Sequence, residues 1–254
     1  MRGIDTAYNY RGFTSHRALA RVAADLLGEF TLSTKVGYFP DDSGERSVHS
    51  LDPARLRDAI RRSVDDLGRS PDVVFLHNPE LALSARSGTE GRDRLADACG
   101  VLADEAAAGW CGTWGIATWD ARPVAAAIEQ GVAGIQPGAL LLRAGLSVAH
   151  PILTAGETLT RMLKVPPERC WGMSPFSGST ADPVWNAVDL RAFLADQQQC
   201  TTPQVAFRLA YELPPVARVA VGTSNVDHLR DLCAATQLAI SGTAIHRYRD
   251  LITG

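Results

Sequence analysis

The chain has 254 residues, 46% of them hydrophobic, with 25 Lys and Arg against 28 Asp and Glu for a net charge of −3. That is enough to bury a large core in one domain or two, and a single α/β barrel of about 250 residues is an ordinary size. A pI near 6.1, with acidic and basic residues intermixed, gives no reason to expect nucleic acid or an anionic membrane surface as partner.

Short apolar runs alternate with longer stretches of helical period. The strand-like runs are Gly3–Ala7, Phe30–Val36, Val73–His77, Gly112–Ala117, Ala133–Gln136, Cys170–Pro175 and Ala217–Val221. Between the first two, Arg17–Leu27 carries Leu19, Val22, Ala23 and Leu26 on one stripe. Asp41–Ser50 is polar and turn-rich and reads as a long βα loop. Asp52-Pro53 then signals a helix start, since Asp caps free N–H groups and Pro suits the first helical position. The helix it opens, Pro53–Leu67, carries Leu56, Ile60, Val64 and Leu67 on one face with Arg and Asp on the others. Arg92–Ala108, Arg122–Gln130, Val188–Gln199, Pro203–Leu213 and Val226–Ala235 complete the helical set. Strands alternating with helices at this spacing imply parallel strands with right-handed crossovers. No Gly/Ser/Pro-rich linker divides the chain, so residues 1–254 read as a single domain. Seven strand-like runs are visible where a closed α/β barrel has eight. Periodicity alone leaves a barrel and an open doubly wound sheet both standing, although the GxGxxG of a dinucleotide-binding sheet is absent.

Five cysteines, Cys99, Cys111, Cys170, Cys200 and Cys233, are scattered, odd in number and without a CxxC pair. That suits a reducing compartment and buried thiols. No His/Cys cluster has ligand spacing, so no metal is expected. The opening residues lack an apolar leader, and no apolar run approaches the roughly 18–20 residues of a membrane span. A cytoplasmic protein without membrane contact is the expectation.

Four residues draw attention by position. Asp5 ends the first strand-like run and Tyr10 follows five residues on; Lys35 lies near the end of the second run, and His77 closes four apolar residues of the third. Singly, each has an ordinary structural role: a turn cap, a paired lysine, a core histidine with a satisfied hydrogen bond. Jointly, they all fall at the C-terminal ends of successive strands, where an α/β barrel builds its active site. A Lys beside a Tyr stabilises the phenolate, an Asp keeps that ammonium charged and placed, and a neutral His orients a carbonyl. Together they make a general acid able to work near neutral pH.

Asp5-Thr-Ala-x-x-Tyr10, Ser33-Thr-Lys35 and Arg61-Arg-Ser-Val-Asp-Asp-Leu-Gly68 followed by Val73-Val-Phe-Leu-His77 resemble the motifs of the aldo-keto reductase family, in order and local sequence. Thr202–Leu209 and Val219-Ala-Val-Gly-Thr-Ser-Asn-Val-Asp-His-Leu-Arg230 resemble that family's last strand and phosphate-binding helix start, so the likeness runs from residue 3 to about 235. It implies a (β/α)8 TIM barrel and an NADPH-dependent reductase of an aldehyde or ketone, with NADH as the alternative cofactor. Tyr10 would protonate the carbonyl oxygen, Lys35 and Asp5 would tune it, and His77 would orient the small-molecule substrate. Gln136 and Thr118 match positions at the nicotinamide carboxamide. Ser174, Gly222, Thr223, Ser224, Asn225 and His228 match further cofactor-contacting positions, the Gly222–Asn225 turn placing helix N–H groups at the phosphates.

The chain also departs from that pattern. The family usually begins with a β-hairpin and a complete βα unit ahead of the Asp-Thr-Ala strand, and here that strand follows Met1 almost at once. A barrel lacking its first βα unit, with unpaired edges that favour a homo-oligomer, is therefore expected. Ala117-Thr118 stands where Ser-Asn is common, and Met173 stands where an aromatic residue often stacks on the nicotinamide. Gly222 and His228 replace the basic pair at the adenosine 2′-phosphate, with Arg230 one short turn away as a substitute. The long C-terminal loop that often covers the substrate is short, which implies an open site. Trp110, Trp114, Trp119 and Trp185 are candidates to line it, or to pack in the core. Two alternatives stay open: a non-redox lyase, dehydratase or isomerase reusing the same four residues, and a catalytically silent interaction subunit.

Overall fold

The helix start at Asp52 is realised as the sequence dictates. In the computed structural model, which describes residues 1–44, 46–84, 88–131, 134–196 and 198–253, the Asp52 carboxylate accepts the Arg55 N–H at 2.9 Å. Pro53 occupies the first turn, and Gly68 closes the helix in the left-handed region at φ 70°. Such caps satisfy backbone groups that a helix end otherwise leaves unpaired. The chain divides into two compact units, Met1–Leu141 with Leu159–Pro166, and Leu142–Thr158 with Pro167–Gly254.

The first unit holds β1 (Gly3–Asp5), α1 (Tyr10–Phe13), α2 (Ser15–Ala23), β2 (Thr31–Val36), β3 (Tyr38–Pro40), β4 (Ser47–His49), α3 (Pro53–Leu67), β5 (Val73–His77), α4 (Glu80–Ser84), α5 (Gly88–Ala107), β6 (Thr113–Thr118) and α6 (Ala121–Glu129). β1, β2, β5 and β6 pair in parallel, with Asp5 opposite Ser33, Lys35 opposite Phe75 and His77 opposite Ala117. β3 and β4 form a separate antiparallel hairpin. β5 is wholly buried, as a strand covered on both faces must be. Gly115 lets β6 fit: a Cβ there would stand 2.5 Å from the Ala139 carbonyl and 2.7 Å from the Phe75 ring. α3 and α5 are tied by Glu105, which is buried and accepts from Arg57 and Arg61 at 3.2 and 3.0 Å.

The chain passes between the units within β7 (Ala139–Arg143), within α7 (His150–Leu163) and again after Pro166. The second unit continues with β8 (Cys170–Met173), α8 (Val184–Ala187), α9 (Thr202–Leu209), β9 (Arg218–Ala220), α10 (Val226–Ala235) and α11 (Gly242–Thr253). β8 and β9 pair in parallel. Phe176, Trp185, Leu190, Phe207, Leu209 and Leu232 form one core cluster. Val148, Leu153 and Leu213 form another, against Ile245, Tyr248 and Ile252 of α11. Thr201 and Gln204 close a reciprocal capping box at the start of α9.

Several sequence expectations need correction. The fifth strand is not Ala133–Gln136: Ala133 lies outside the described residues, 134–138 is irregular, and the strand is Ala139–Arg143. The helix expected at Val188–Gln199 is a short 3-10 turn at Arg191–Phe193 instead, with Gln197 outside the described residues. Leu190 is the anchor there, and the polar residues after Leu194 offer no second apolar turn to continue a stripe. Val22 and Leu26, expected on a buried stripe, are exposed; the helix ends at Ala23 and Ser15, His16 and Leu27 are buried instead. The loop expected at Asp41–Ser50 contains β4, and α7 and α11 were not anticipated. Trp114 and Trp185 are core residues, whereas Trp119 is exposed. Cys99, Cys111 and Cys170 are buried, but Cys233 is exposed.

Candidate active site

The period-two geometry of a strand puts Ser33 and Lys35 on one side of β2, facing Asp5 across the parallel pair. Lys35 is only 2% exposed. Burying an ammonium is costly unless its three donors are used, and all three are. Lys35 forms an ion pair with Asp5, donates to the Thr6 carbonyl at 2.9 Å, and reaches the Tyr10 hydroxyl at 3.4 Å. Ser33 donates to the other Asp5 oxygen at 2.7 Å. Tyr10 opens α1 with its ring half-exposed, its centroid 5.0 Å from the Lys35 ammonium. Directly after it, Arg11, Gly12 and Phe13 take φ values of 53°, 58° and 63°. This left-handed turn carries two residues that pay a steric penalty for it.

His77 ends β5 with its ring centroid 6.3 Å from that of Tyr10 and nearly perpendicular to it. Burial, then the Lys35 charge, then His49, push the His77 imidazole down to about 3, so it is neutral at physiological pH. Asp5, Tyr10, Lys35 and His77 thus lie together at the C-terminal ends of β1, β2 and β5. The arrangement sets a hydroxyl donor beside a buried cation and opposite a neutral imidazole. Such a group can hand a proton to an oxygen and stabilise the anion left behind.

Other residues at these strand ends were not anticipated. Tyr38 on β3 meets the edges of both His49 and His77, at 5.0 and 4.9 Å between centroids. Asn78 donates to the Tyr38 hydroxyl at 3.1 Å, and His49 bonds the His77 carbonyl at 2.9 Å. Burial lowers His49 below its ordinary range. Glu80 is buried three residues past His77, and one of its oxygens accepts the Trp119 N–H at 2.8 Å and, more distantly, the Asp120 N–H. Burial raises its carboxyl above the usual range against the pull of those N–H groups. Neither spacing nor period singles out Glu80, whose role depends on the Trp119 and Asp120 N–H groups. Tyr38 and His49 sit in a turn-rich stretch without period and carry no signal either.

The remaining sequence-predicted residues divide by unit. Thr118, the last residue of β6, is buried and faces the Glu80 carboxyl without closing a hydrogen bond of ordinary geometry. Gln136 is exposed three residues ahead of β7. That is the entry end of its strand, so the structure does not bring it to the end that carries His77. In the second unit, Ser174 follows β8 directly with φ 57°. Gly222, Thr223, Ser224 and Asn225 form an exposed turn into α10, with open space where a Cβ on Gly222 would stand. Asn225 caps the helix by accepting the Asp227 N–H at 2.8 Å. Hydroxyls and small residues at a helix start are a donor set that suits an anion such as a phosphate. His228 is exposed in the first turn, and Arg230 is engaged by Asp227 at 2.7 Å. Among the described residues no three His, Cys, Asp or Glu side chains are grouped to hold a metal ion, and no helix is long and apolar enough to cross a membrane.

Solved structures resemble the chain over nearly its whole length. An aldo-keto reductase from Bacillus halodurans in its holo form matches with a TM-score of 0.73 and 16% identity, over 99% of this chain and 82% of that one. An aldo/keto reductase from Klebsiella pneumoniae, in complex with NADP and acetate, matches with a TM-score of 0.70 and 18% identity, over 99% and 80%. An aldose reductase from Giardia lamblia matches with a TM-score of 0.70 and 17% identity, over 99% and 83%. At such identities the likeness shows the fold, the parallel α/β barrel of these proteins, here with seven strands described. No curated protein matches the chain. The sequence model of the Aldo/keto reductase family matches residues 1–137, more than half of the chain. The chain belongs to the aldo/keto reductase family.

Proposed function

We propose that the protein is an NADPH-dependent reductase of a small-molecule aldehyde or ketone, with Tyr10 as the general acid. The observation that carries this reading is the buried Lys35, which joins Asp5 and the Tyr10 hydroxyl opposite a neutral His77. Family membership and the NADP-bound Klebsiella relative support the cofactor, with NADH as the alternative because Gly222 and an already paired Arg230 offer little to a 2′-phosphate. The bound dinucleotide supplies a hydride to the carbonyl carbon. Tyr10 gives its proton to the carbonyl oxygen, so that an alcohol leaves. Lys35, held by Asp5, stabilises the phenolate that remains, and His77 donates to the same oxygen and orients it. The turn at Gly222–Asn225, with Ser174, is the region that would hold the dinucleotide.

Titration with NADPH, followed by nicotinamide fluorescence, should saturate, and 4-nitrobenzaldehyde should then be reduced. Tyr10→Phe should lose at least about 100-fold in kcat, the lower range for a positioned general acid, while cofactor affinity is kept. No binding at millimolar NADPH would overturn the redox reading. It would favour the second one, a non-redox lyase, dehydratase or isomerase reusing the same acid. The observation behind that alternative is that Gln136 stands at the wrong strand end and Thr118 is turned to Glu80, which leaves the expected carboxamide contacts unmade. Association into a homo-oligomer is part of the proposal, since β1 stands at one end of the strand order and an unpaired strand edge favours association.

A further inference from the structure

The hairpin β3–β4 has no part in the reaction as described, yet it is fastened to the residue pair His77–Asn78 at several points. The last rung between β2 and β5 joins Val36 to Leu76. The chain then leaves the sheet at Gly37, with φ 147°, and turns into β3. A Cβ at Gly37 would stand 2.8 Å from the His77 carbonyl oxygen, so only glycine lets the hairpin start this close to the strand end. The departure of β2 leaves the His77 carbonyl one residue past the ladder. A buried carbonyl without a donor is costly. His49, opposite Tyr38 in the hairpin register, supplies the missing donor through Nε2 at 2.9 Å. Because the acceptor is a carbonyl, Nε2 must carry the proton. Tyr38 fills the angle between the two imidazoles, and its hydroxyl accepts from Asn78.

We propose that His49 is a positioning residue for His77: its Nε2–H replaces the absent rung and fixes the strand end from which the His77 imidazole reaches the substrate. The inference rests on the reductase reading only for its kinetic consequence. The backbone it fixes carries the orienting group. A displacement of a few tenths of an ångström at His77 therefore changes how a bound carbonyl meets Tyr10, not whether cofactor binds.

Two substitutions separate the N–H from the ring. His49→Phe keeps the contact with Tyr38 and removes the donor; His49→Gln loses the ring and keeps an N–H at a comparable reach. With NADPH and 4-nitrobenzaldehyde, His49→Phe should lower kcat by about tenfold, in the range that misplacing a catalytic group produces, with NADPH affinity unchanged. His49→Gln should recover most of that loss. Wild-type kcat in His49→Phe, or His49→Gln as poor as His49→Phe, overturns the proposal. A second measurement needs neither turnover nor a folded variant. Nitrogen-15 spectra of the wild-type imidazoles should show His49 in the Nε2-protonated tautomer across neutral pH, with its proton slow to exchange. An Nδ1-protonated His49, or a fast-exchanging proton, overturns it. Failure of NADPH to bind would sink the reductase reading while leaving this test intact.

Discussion

Lys35 and Asp5 show how strongly one residue's surroundings decide what its charge is worth. The ammonium is buried, and Asp5 is its one counter-ion among the described residues. Arg230 and Asp227 also form a close pair, at 2.7 Å, but both are largely exposed and screened by water. Asp5→Ala should therefore destabilise the fold by about 2–3 kcal/mol, reduced from the fully buried case because the carboxylate is partly exposed. Asp227→Ala should change stability by no more than about 0.5 kcal/mol. Urea unfolding of the two variants checks the contrast, and Lys35→Met in the Asp5→Ala background should restore part of the loss. Equal effects would mean that the Lys35 charge is hydrated in a way its burial does not suggest. Asp5, Lys35 and His77 are legible as candidates only jointly, because polar residues recur at the ends of successive apolar runs, while each alone has an ordinary structural role. His49 and Glu80 are not. Their roles depend on backbone groups, a carbonyl and two N–H groups, whose need for a partner is created only by where the strands stop.

Among the elements, legibility followed the strength of the local rules. α3 has an Asp cap, a first-turn Pro, a regular stripe and a terminal glycine, and its predicted bounds match the structure. α10, capped by Asn225, matches as well. Pro137-Gly138 splits the apolar stretch around the fifth strand, and period alone does not distinguish the run before the break from the true strand, Ala139–Arg143. The hairpin escaped because Tyr38–Pro40 and Ser47–His49 are three residues each, too short to show alternation. Backbone demands also set the sign of a glycine substitution. Gly12 and Gly100 both have open space where a Cβ would stand. Gly12 is in the left-handed turn after Tyr10 at φ 58°, whereas Gly100 is inside α5. Gly12→Ala should destabilise by about 1 kcal/mol, the steric cost of a left-handed residue. Gly100→Ala should stabilise by about 0.5–1 kcal/mol, the helix preference of alanine over glycine. Thermal unfolding of the two variants should move in opposite directions. A common sign would contradict the backbone assignment at one of the sites.

The whole molecule's response to acid is governed by three histidines that burial lowers, His49 and, more strongly, His16 and His77. His16 is buried against the Thr34 hydroxyl, and burial lowers it to about 4 from an ordinary 6.5; His77 is lowered to about 3, again chiefly by burial. Both folded-state values are depressed, so below pH 6.5 the unfolded chain takes up protons that the folded chain refuses. Stability is therefore full above 6.5 and drains away as pH falls toward 4, at up to about 1.4 kcal/mol per pH unit for each histidine. Asp120 is lowered below its ordinary 3.8, so its own loss of stability falls at more acid pH. Glu80 opposes the trend, because a raised carboxyl stabilises the fold at low pH and stops doing so as pH rises through its folded value. One carboxyl set against three histidines leaves the histidines in control of the window. Urea midpoints measured from pH 7 to 4.5 should fall steadily. His16→Gln, which keeps a hydrogen bond to Thr34 within reach but cannot take up a proton, should flatten the slope by up to about half, since one of the two strongly lowered histidines is gone. A midpoint that stays level or rises over this range would mean that the histidines are reached by water in the folded chain. The neutral His77 imidazole proposed to orient the carbonyl would then be lost as well.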